Sequence, residues 1–379
     1  MTGRLIVTAA TGTESLLVHE LRSLGLDCRA GRAGTVELDG NRLDGARAAV
    51  HSRVAVRVLE EVGVFVLDGD GKRALYEGTR AIDWTEHATA RTTIAVKVKS
   101  ASQNEGPFAS SIFAAQVIKD AIVDRIRDAS GGERPSVDRR DPDVLVIAHI
   151  GRGRAELFLD LAGGPLHRRG YRVAPTAAPL KESLAAAVVL AARYDGTRSF
   201  LDPMTGSGTL AIEAARIARR IAPRAGRLGM ERWASFDDGA RVALERIRGE
   251  ARAAELPRVP APLVAIDSDP AALEAARANA ARARVDRDIV FQRGDARAVD
   301  VGGAGTLIAV NPPYGDRLAA RDLDSLYEDF ARCVRARAGV SLVALSGNPR
   351  FERAIGPRPR WSREVRNGPI RCRLLYWDL

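Results

Sequence analysis

The two halves of the chain differ in how hydrophobic and polar positions alternate. Up to about residue 165, short apolar runs such as "TVELDG" and "DVLVIAHI" predict strands. Between such runs, "ESLLVHELRSLG", "LDGARAAVHSRVAVRVLEEV" and "ASSIFAAQVIKDAIVDRIRDA" have the period of helices. Because strands and helices follow no regular order there, the pattern predicts an α+β fold for this half.

From residue 181 onward, strands and alanine-rich helices alternate regularly. The predicted strands are "RSFLDP", "APLVAID", "DIVFQRGD", "GTLIAVNPP" and "GVSLVALSG". Such alternation is typical of a Rossmann-like α/β fold with a doubly wound, mostly parallel sheet. In "SREVRNGPIRCRLLYWDL", Asn367 and Gly368 separate two strand-like runs, which predicts an antiparallel hairpin at one edge of that sheet.

Composition narrows the class of protein. The chain is 46% hydrophobic and 28% charged, which is typical of a globular protein. The start "MTGRLIVTAATGTESLL" lacks the pattern of a signal peptide, and no apolar stretch is long enough to span a membrane. We therefore expect a cytoplasmic protein. Three cysteines without paired spacing indicate neither a disulfide framework nor a metal site.

The net charge of +10 favours a nucleic-acid partner, since a basic surface gains affinity by releasing counterions from a polyanion. Only five of the 58 basic residues are lysine, however, and a GC-rich genome also produces such an arginine bias. Charge alone therefore leaves the class of partner open.

A glycine-rich turn follows the first strand of the second half. The segment "FLDPMTGSGTLAIEAARIARR" runs from a strand through this turn into an amphipathic helix. Gly206 and Gly208 let a ligand approach the backbone closely, and the start of the helix offers unpaired N–H groups. A nicotinamide dinucleotide is one candidate ligand. Against it, Asp202 would repel a pyrophosphate, and the acid expected about 20 residues further on is missing.

S-adenosylmethionine fits this half better, because it has a cationic sulfonium and an α-amino group but no phosphate. Asp202 ends the first strand, Asp267 ends the second and Asp295 follows the third. Asp267 can accept from both ribose hydroxyls, and Asp295 or its neighbours can accept from the adenine amine. All three acids face the edge where open α/β sheets bind ligands. Asp269, which precedes Pro270, is predicted to cap the next helix instead.

The motif "NPPYG" at the end of the fourth strand faces the same edge. Pro312 and Pro313 restrict the backbone and leave carbonyls that can only accept. We predict that the side-chain oxygen of Asn311 and the carbonyl of Pro312 accept the two hydrogens of an exocyclic amine and aim its nitrogen at the methyl donor. Tyr314 is predicted to stack on a flipped base. Carbon-5 methylation is disfavoured, because no cysteine lies near these strand ends in the sequence.

Several of these segments resemble a known family. "FLDPMTGSGTLAIEAA", "NPPYGDRL" and "LHRRGYRVAPTAAPLKESLAAA" resemble the bacterial THUMP-containing RNA guanine-N2 methyltransferases, the group around the large-subunit ribosomal RNA enzymes. "LIVTAATGTESLLVHELRSLG" and "AGTVELDG" resemble the N-terminal module of that family. The resemblance implies a ferredoxin-like module over residues 1–60, a THUMP RNA-binding domain over 61–165, a linker over 166–180 and a class I methyltransferase domain over 181–379.

The resemblance also implies a role for individual residues. Those expected to bind S-adenosylmethionine are Asp202, Thr205, Gly206, Ser207, Gly208, Asp267, Asp295, Lys181 and Glu182. Those expected to hold the target amine are Asn311, Pro312, Pro313 and Tyr314. The family often has cysteine where Thr205 stands, a change we expect to be tolerated because the backbone of the loop does the binding.

The expected substrate is the N2 amine of a guanine in structured RNA, in 23S ribosomal RNA or, alternatively, in transfer RNA. RNA contacts are expected from basic residues in a strand of the THUMP domain and in the linker, namely Lys97, Lys99, Arg168, Arg169 and Arg172. Neither a metal nor a membrane is expected to take part.

Three other functions remain as alternatives. A protein glutamine-amide methyltransferase would present the same planar NH2 group to Asn-Pro-Pro-Tyr, but its appended domain is small and helical, unlike the strand-rich first half here. DNA adenine-N6 methylation is similar chemistry and is disfavoured mainly by the resemblance of the N-terminal half. An RNA-binding protein that has lost catalysis is disfavoured by the intact Asp202, Asn311 and Tyr314.

Overall fold

Each half of the chain builds a sheet of its own. The computed structural model describes residues 4–100, 110–172, 180–313 and 320–379. The strands and helices of the first half are β1 (Leu5–Thr8), α1 (Glu14–Ser23), β2 (Asp27–Ala30), β3 (Thr35–Asp39), α2 (Arg42–His51), β4 (Arg57–Val66), α3 (Gly71–Ala81), β5 (Thr93–Ser100), α4 (Ser111–Ala129), β6 (Ser136–Val137), β7 (Val144–Gly151) and β8 (Arg154–Asp160). Those of the second half are α5 (Glu182–Ala191), β9 (Phe200–Asp202), α6 (Thr209–Ala218), α7 (Asp238–Ala253), β10 (Leu263–Asp267), α8 (Pro270–Arg282), β11 (Val290–Arg293), β12 (Leu307–Val310), α9 (Ala320–Arg335), β13 (Ser341–Ser346), α10 (Pro349–Ile355), β14 (Trp361–Asn367) and β15 (Ile370–Asp378).

The first sheet has the strand order β2-β3-β1-β4-β8-β7-β5-β6. Most neighbouring strands are antiparallel, whereas β5 runs parallel to β6 and β7. One face packs buried residues such as Val58 and Val146 against the helices. The other face carries a smaller apolar cluster that includes Leu59, Ile147 and Phe158. The mixed α+β prediction for this half is therefore confirmed.

One predicted helix is too long. The segment "LDGARAAVHSRVAVRVLEEV" was expected to be helical throughout, but α2 ends at His51 and β4 begins at Arg57. Ser52 adopts extended backbone, with φ −73° and ψ 125°, and so ends the helix. Beyond it, β4 lies between β1 and β8, and pairing on both sides favours the β-branched and apolar residues of this run as a strand.

The second sheet has the strand order β11-β10-β9-β12-β13-β15-β14. Strands β9 to β13 are parallel, and β15 pairs antiparallel with β13 and β14. The doubly wound sheet and its edge hairpin are as predicted. The loop of the hairpin differs by one residue from the prediction, because Asn367 pairs with Ile370 and the two loop residues are Gly368 and Pro369. Gly368 has a φ of +63°, which glycine adopts most readily.

The two halves contact each other through backbone as well as side chains. The N–H of Arg366 in β14 donates to the carbonyl of Thr11, 3.0 Å away, in the loop before α1. Gly12 has a φ of +94°, and any side chain there would collide with the carbonyl oxygen of Glu364. The outer edge of β14 is thus partly covered by the first half, which limits its pairing with other chains. In the part of the chain that the structure describes, no helix is long and apolar enough to cross a membrane.

Candidate active site

Asp202 lies at the carboxyl end of β9 and is buried, with 1% of its surface exposed. Its Oδ2 accepts from the hydroxyl of Thr205 at 2.8 Å, whereas its Oδ1 is buried and has no hydrogen bond of good geometry to a described residue. Burial raises the pKa of Asp202 to about 7 against the hydrogen bonds from the hydroxyl of Thr205 and from the backbone of Met204 and Ala211, and the charge of Asp267 adds a smaller increase. An orphaned acceptor of this kind fits an ammonium group, which would supply both the missing donor and the missing charge.

Backbone N–H groups of the glycine turn between β9 and α6 bond the turn to β10. The N–H of Thr205 donates to the carbonyl of Ile266 in β10, and the N–H of Gly206 donates to Oδ2 of Asp267 at 2.8 Å. Gly206 has a φ of +52° and open space where a side chain would stand. At Gly208, φ +83°, a side chain would instead press on Ala276 of α8. The first glycine therefore leaves room for a ligand, and the second allows the two helices to pack closely.

The remaining part of the turn is anchored by α8. The side-chain amide of Asn279 donates to the carbonyl of Ser207 at 2.9 Å. Asn279 is buried and was not singled out in the sequence, because it lies 72 residues from Ser207 and in no motif.

The other acids lie at the expected strand ends, with different partners. Oδ1 of Asp267, at the end of β10, accepts from the N–H of Asp269, so both of its oxygens have backbone donors. Asp269 caps α8 through the N–H of Ala271, as predicted. Asp295 is half-exposed after β11 and accepts from the N–H of Arg297, where it caps a short 3₁₀ helix.

The Asn-Pro-Pro turn follows β12 at the same edge. Oδ1 of Asn311 is buried and has no partner among the described residues. The carbonyl of Pro313 accepts from the hydroxyl of Tyr327, a residue of α9 with no exposed surface. Pro313 is therefore occupied, whereas Asn311 and the carbonyl of Pro312 stay available in the described contacts. Tyr314 lies outside the described residues, so its stacking role stays a prediction.

Strand pairing brings these two acceptors to the same edge of the sheet. In the parallel pairs, Asp202 lies opposite Ala265 of β10, and Leu201 lies opposite Ile308 of β12. Neighbouring strands are about 4.8 Å apart. The strand order reverses between β9 and β12, which is the switch point where open α/β sheets bind ligands. Asp202 and Asn311 end the two strands that flank this point.

Lys181 and Glu182 lie at the start of α5, close to the glycine turn. Lys181 is exposed, and Glu182 is buried and pairs with Arg172 at 3.3 Å. Arg172 also donates to the carbonyl of Leu180, and lies 3.4 Å from the hydroxyl of Thr209, the first residue of α6. This network joins the linker to the first turn of the helix that follows the glycine loop.

The predicted RNA contacts divide into two groups. Lys97 and Lys99 are exposed and alternate on the face of the first sheet that carries the smaller apolar cluster. Although both residues are exposed overall, partial burial of their amino groups, and then the neighbouring charges, lower the pKa of each lysine: Arg57 and Arg168 act on Lys97, and Arg57 and Lys181 act on Lys99. Lys97 and Lys99 of the first sheet therefore lie close enough to Arg168 of the linker and Lys181 at the start of α5 for these positive charges to act on one another.

Arg169 does not fit the prediction of an RNA contact. Its side chain has no exposed surface, and it donates to the carbonyls of Leu166 and Arg53 at 2.8 and 2.5 Å. Arg172 is only 16% exposed at its side chain and is held by Glu182. Both arginines hold the linker to the two halves, so neither side chain offers much surface to RNA, and their RNA contacts stay a prediction.

No group of three or more histidine, cysteine, aspartate or glutamate side chains is placed to hold a metal ion in the ranges that the structure describes. The cysteines Cys28 and Cys372 are buried, and Cys333 is half-buried.

Comparisons with known proteins agree with this architecture. The profile of the RMKL-like methyltransferase domain matches residues 169–375, that of the THUMP domain residues 72–160, and that of the RlmL ferredoxin-like domain residues 4–59. A curated relative from Syntrophotalea carbinolica, named ribosomal RNA large subunit methyltransferase K/L, is 39% identical over 99% of this chain and 53% of its own length. The chain thus spans about half the length of the curated relatives it matches.

Two solved structures are similar over nearly their whole length. SMU.472, solved in complex with SAH, is 28% identical with a TM-score of 0.88 and covers 99% of this chain and 98% of its own. A Listeria monocytogenes protein described as a predicted N6-adenine-specific DNA methylase is 28% identical with a TM-score of 0.85, over 100% and 97% of the two chains. The methyltransferase profile alone covers more than half of the sequence, and the resemblance drawn from the motifs is confirmed: the chain belongs to the RMKL-like methyltransferase family.

Proposed function

We propose that this protein transfers a methyl group from S-adenosylmethionine to the exocyclic N2 amine of a guanine in large-subunit ribosomal RNA. The observation that carries the proposal is the pair of orphaned, buried acceptors, Oδ1 of Asp202 and Oδ1 of Asn311, at the ends of the two strands that flank the switch point. One acceptor suits a cation and the other a neutral planar NH2 group. A relative's name, ribosomal RNA large subunit methyltransferase K/L, supports the choice of RNA.

The cofactor would lie over β9 and β10. S-adenosylmethionine supplies an electrophilic methyl group on its sulfonium. Asp202 would accept from the α-amino group through Oδ1, while Thr205 keeps Oδ2 in place. Gly206, without a side chain, leaves room beside the loop, and Asp267 would accept from the ribose hydroxyls. Asp295, Ser207, Lys181 and Glu182 stay proposed as the further lining of this pocket.

The target amine would lie at the end of β12. Asn311 and the carbonyl of Pro312 would accept its two hydrogens, which orients the lone pair of the nitrogen toward the methyl group. The nitrogen lone pair would form the new bond to the methyl carbon as the bond from carbon to sulfur breaks, sulfur would keep that electron pair, and the proton would pass from the nitrogen to solvent. Because the carbonyl of Pro313 already accepts from Tyr327, this carbonyl is held in place before the substrate arrives. Pre-arranged geometry of this kind can supply much of a rate enhancement.

RNA would be gripped by the converging positive charge of Lys97, Lys99, Arg168 and Lys181. Structured RNA is recognised mainly through its backbone and shape, which suits a basic face without base-specific groups. Replacing Lys97 and Lys99 with glutamine should raise the KM for RNA and reduce the salt dependence of binding by about one charge per lysine. The matched control replaces Lys72 and Lys119 with glutamine, because these lysines lie outside this cluster. It removes the same net charge and should change the KM for RNA and the salt dependence of binding less than the first variant does.

The decisive experiment supplies labelled S-adenosylmethionine and four acceptors in parallel: unmodified 23S ribosomal RNA, unmodified transfer RNA, duplex DNA and a release-factor protein. N2-methylguanosine in the ribosomal RNA alone is the expected product. Label only in transfer RNA would show that the substrate is transfer RNA and would leave the proposed RNA methylation in place. Label in DNA adenine or in a glutamine side chain would overturn the proposal.

A further inference from the structure

A cleft of about 410 Å³ lies beside the proposed target site and has no role in the function described above. Its walls come from the hairpin β14–β15, from the segment between β13 and α10, and from Thr11 of the first half. Its lining residues include Ser346, Asn348, Arg366, Arg371 and Arg373. The volume is in the range of small-ligand pockets and is sufficient for a nucleotide.

Tyr327 connects the cleft to the Asn-Pro-Pro turn. Val310, just before Asn311, lies opposite Ala344 in the parallel pair β12–β13, and Ser346 of the cleft follows two residues later. The hydroxyl of Tyr327 donates to the carbonyl of Pro313 and also bonds the side chain of Asn348, which lines the cleft. A strand of RNA that delivers a base to Asn311 would therefore have this cleft next to it.

Two arginines of the cleft are left without partners. Arg366 and Arg371 lie directly opposite each other across the hairpin, and both are exposed. No carboxylate of the described residues pairs with either guanidinium, whereas Arg373 is bonded to Glu352. Glu364, the other acid of the cleft, lies opposite Arg373. Like charges directly opposite on a hairpin are destabilising, so their placement suggests an anionic ligand that the free protein lacks.

The backbone that carries these arginines is firmly held. The N–H of Arg366 donates to the carbonyl of Thr11, and Gly12 packs against Glu364. Arginine binds phosphate through two parallel N–H groups, which requires such a fixed position. An enzyme that extracts a base from a stack also has to hold the flanking backbone while the base is turned out.

We propose that this cleft binds the RNA strand immediately flanking the target guanine, with a phosphodiester group held between Arg366 and Arg371. The inference rests on the proposed function and deepens it, because it assigns a second contact for the same RNA, on the side of the catalytic turn away from the cofactor. It predicts that the two arginines act on RNA binding and not on cofactor binding.

The test compares two double variants that each remove two positive charges. Arg366→Gln with Arg371→Gln alters the cleft. Arg282→Gln with Arg287→Gln alters two exposed arginines at the end of α8 and before β11, at the opposite edge of the sheet. RNA affinity is measured with unmodified 23S ribosomal RNA from 50 to 200 mM salt, together with KM, kcat, S-adenosylmethionine affinity and thermal midpoint.

For the cleft variant, we expect RNA affinity to fall about tenfold, as for the loss of charge-assisted hydrogen bonds. The slope of log affinity against log salt should fall by about 0.7 to 0.9, the value for one phosphate contact, while kcat and cofactor affinity stay unchanged. The thermal midpoint should not fall, because a like-charge pair has been removed. Lysine at both positions should restore the salt slope but only part of the affinity, since lysine lacks the planar fork.

The proposal is wrong if the cleft variant and the control variant bind RNA with the same affinity and the same salt slope. That result would leave the proposed function intact, because the wild-type protein would still methylate the RNA. If the wild-type protein neither binds nor methylates RNA, the proposed function fails first and the inference fails with it.

Discussion

Replacing Asp202 with asparagine should stabilise the ligand-free protein at neutral pH. The pKa of Asp202 is raised to about 7, mainly by burial. An aspartate in the unfolded chain has a pKa of about 3.9, so the two states differ by about three pH units, or about 4 kcal/mol. Below pH 3.9 both states are protonated. As the pH rises from 3.9 to 7, the unfolded state ionises first, and stability is lost over that interval.

Asparagine at this position stays neutral and removes that loss. It can still accept from Thr205, but an NH2 group at the place of Oδ1 would find no acceptor among the described residues, a penalty of about 1 to 3 kcal/mol at every pH. The free energy of unfolding of the variant, relative to wild type, should therefore rise by about 3 kcal/mol from pH 4.5 to pH 8. Cofactor affinity should fall at least tenfold, because the neutral amide carries no negative charge to pair with the ammonium group.

Urea unfolding at several pH values, without cofactor, measures the difference directly. The control is Asp195→Asn, at an exposed aspartate whose pKa is lowered by hydrogen bonds from the hydroxyl and N–H of Thr197. Its sign is opposite: that aspartate stabilises the fold above its unfolded pKa, so the control variant should be less stable at pH 8. A difference between Asp202→Asn and wild type that does not change with pH would refute the reasoning, because Asp202 would then be ionised in the free protein.

Other predictions concern the catalytic turn, the glycine loop and the contact between the halves. Asn311→Ala should reduce kcat about a hundredfold or more and leave cofactor affinity unchanged by calorimetry, since it removes only the acceptor for the amine; normal turnover would eliminate that role. Thr205→Val should weaken cofactor binding most below pH 7, because the lost hydrogen bond raises the pKa of Asp202 further, whereas Thr205→Ser should bind normally. Gly12→Ala should lower the thermal midpoint more than Gly25→Ala, since both have positive φ but only Gly12 faces a collision; equal effects would leave backbone strain alone as the cause.

The strand ends of the second half could be predicted because their pattern is local. Asp202, Asp267 and Asn311 each close an apolar run, and parallel strands align their carboxyl ends at one edge. The end of α2 could not be predicted, because the residues after His51 suit either a helix or a strand, and pairing with β1 and β8 decides between them. The loop of the hairpin begins one residue later than predicted, because Asn367 pairs with Ile370 across the hairpin.

Side-chain partners were the part of the site that the sequence did not reveal. Thr205 was expected to be a tolerated replacement, yet its hydroxyl bonds the carboxylate of Asp202. Tyr327 supports Pro313 from a helix beyond the turn, and no motif marks it. Arg169 has the same charge and neighbourhood in the sequence as Arg168, but it is buried. The sequence shows which type of residue stands at a position. Whether that residue is buried depends on which distant segments of the chain pack against it.

The strand β4 has a consequence for how this half of the protein can be divided. The ferredoxin-like match ends at residue 59 and the THUMP match begins at 72, so Arg57–Val66 falls across the boundary. This strand pairs with β1 on one side and β8 on the other, within one continuous eight-stranded sheet. A cut at the boundary would leave at least one fragment with an exposed, unpaired strand edge, and such edges promote aggregation. We therefore expect the two modules to fold together, so that a truncated protein should keep both or neither.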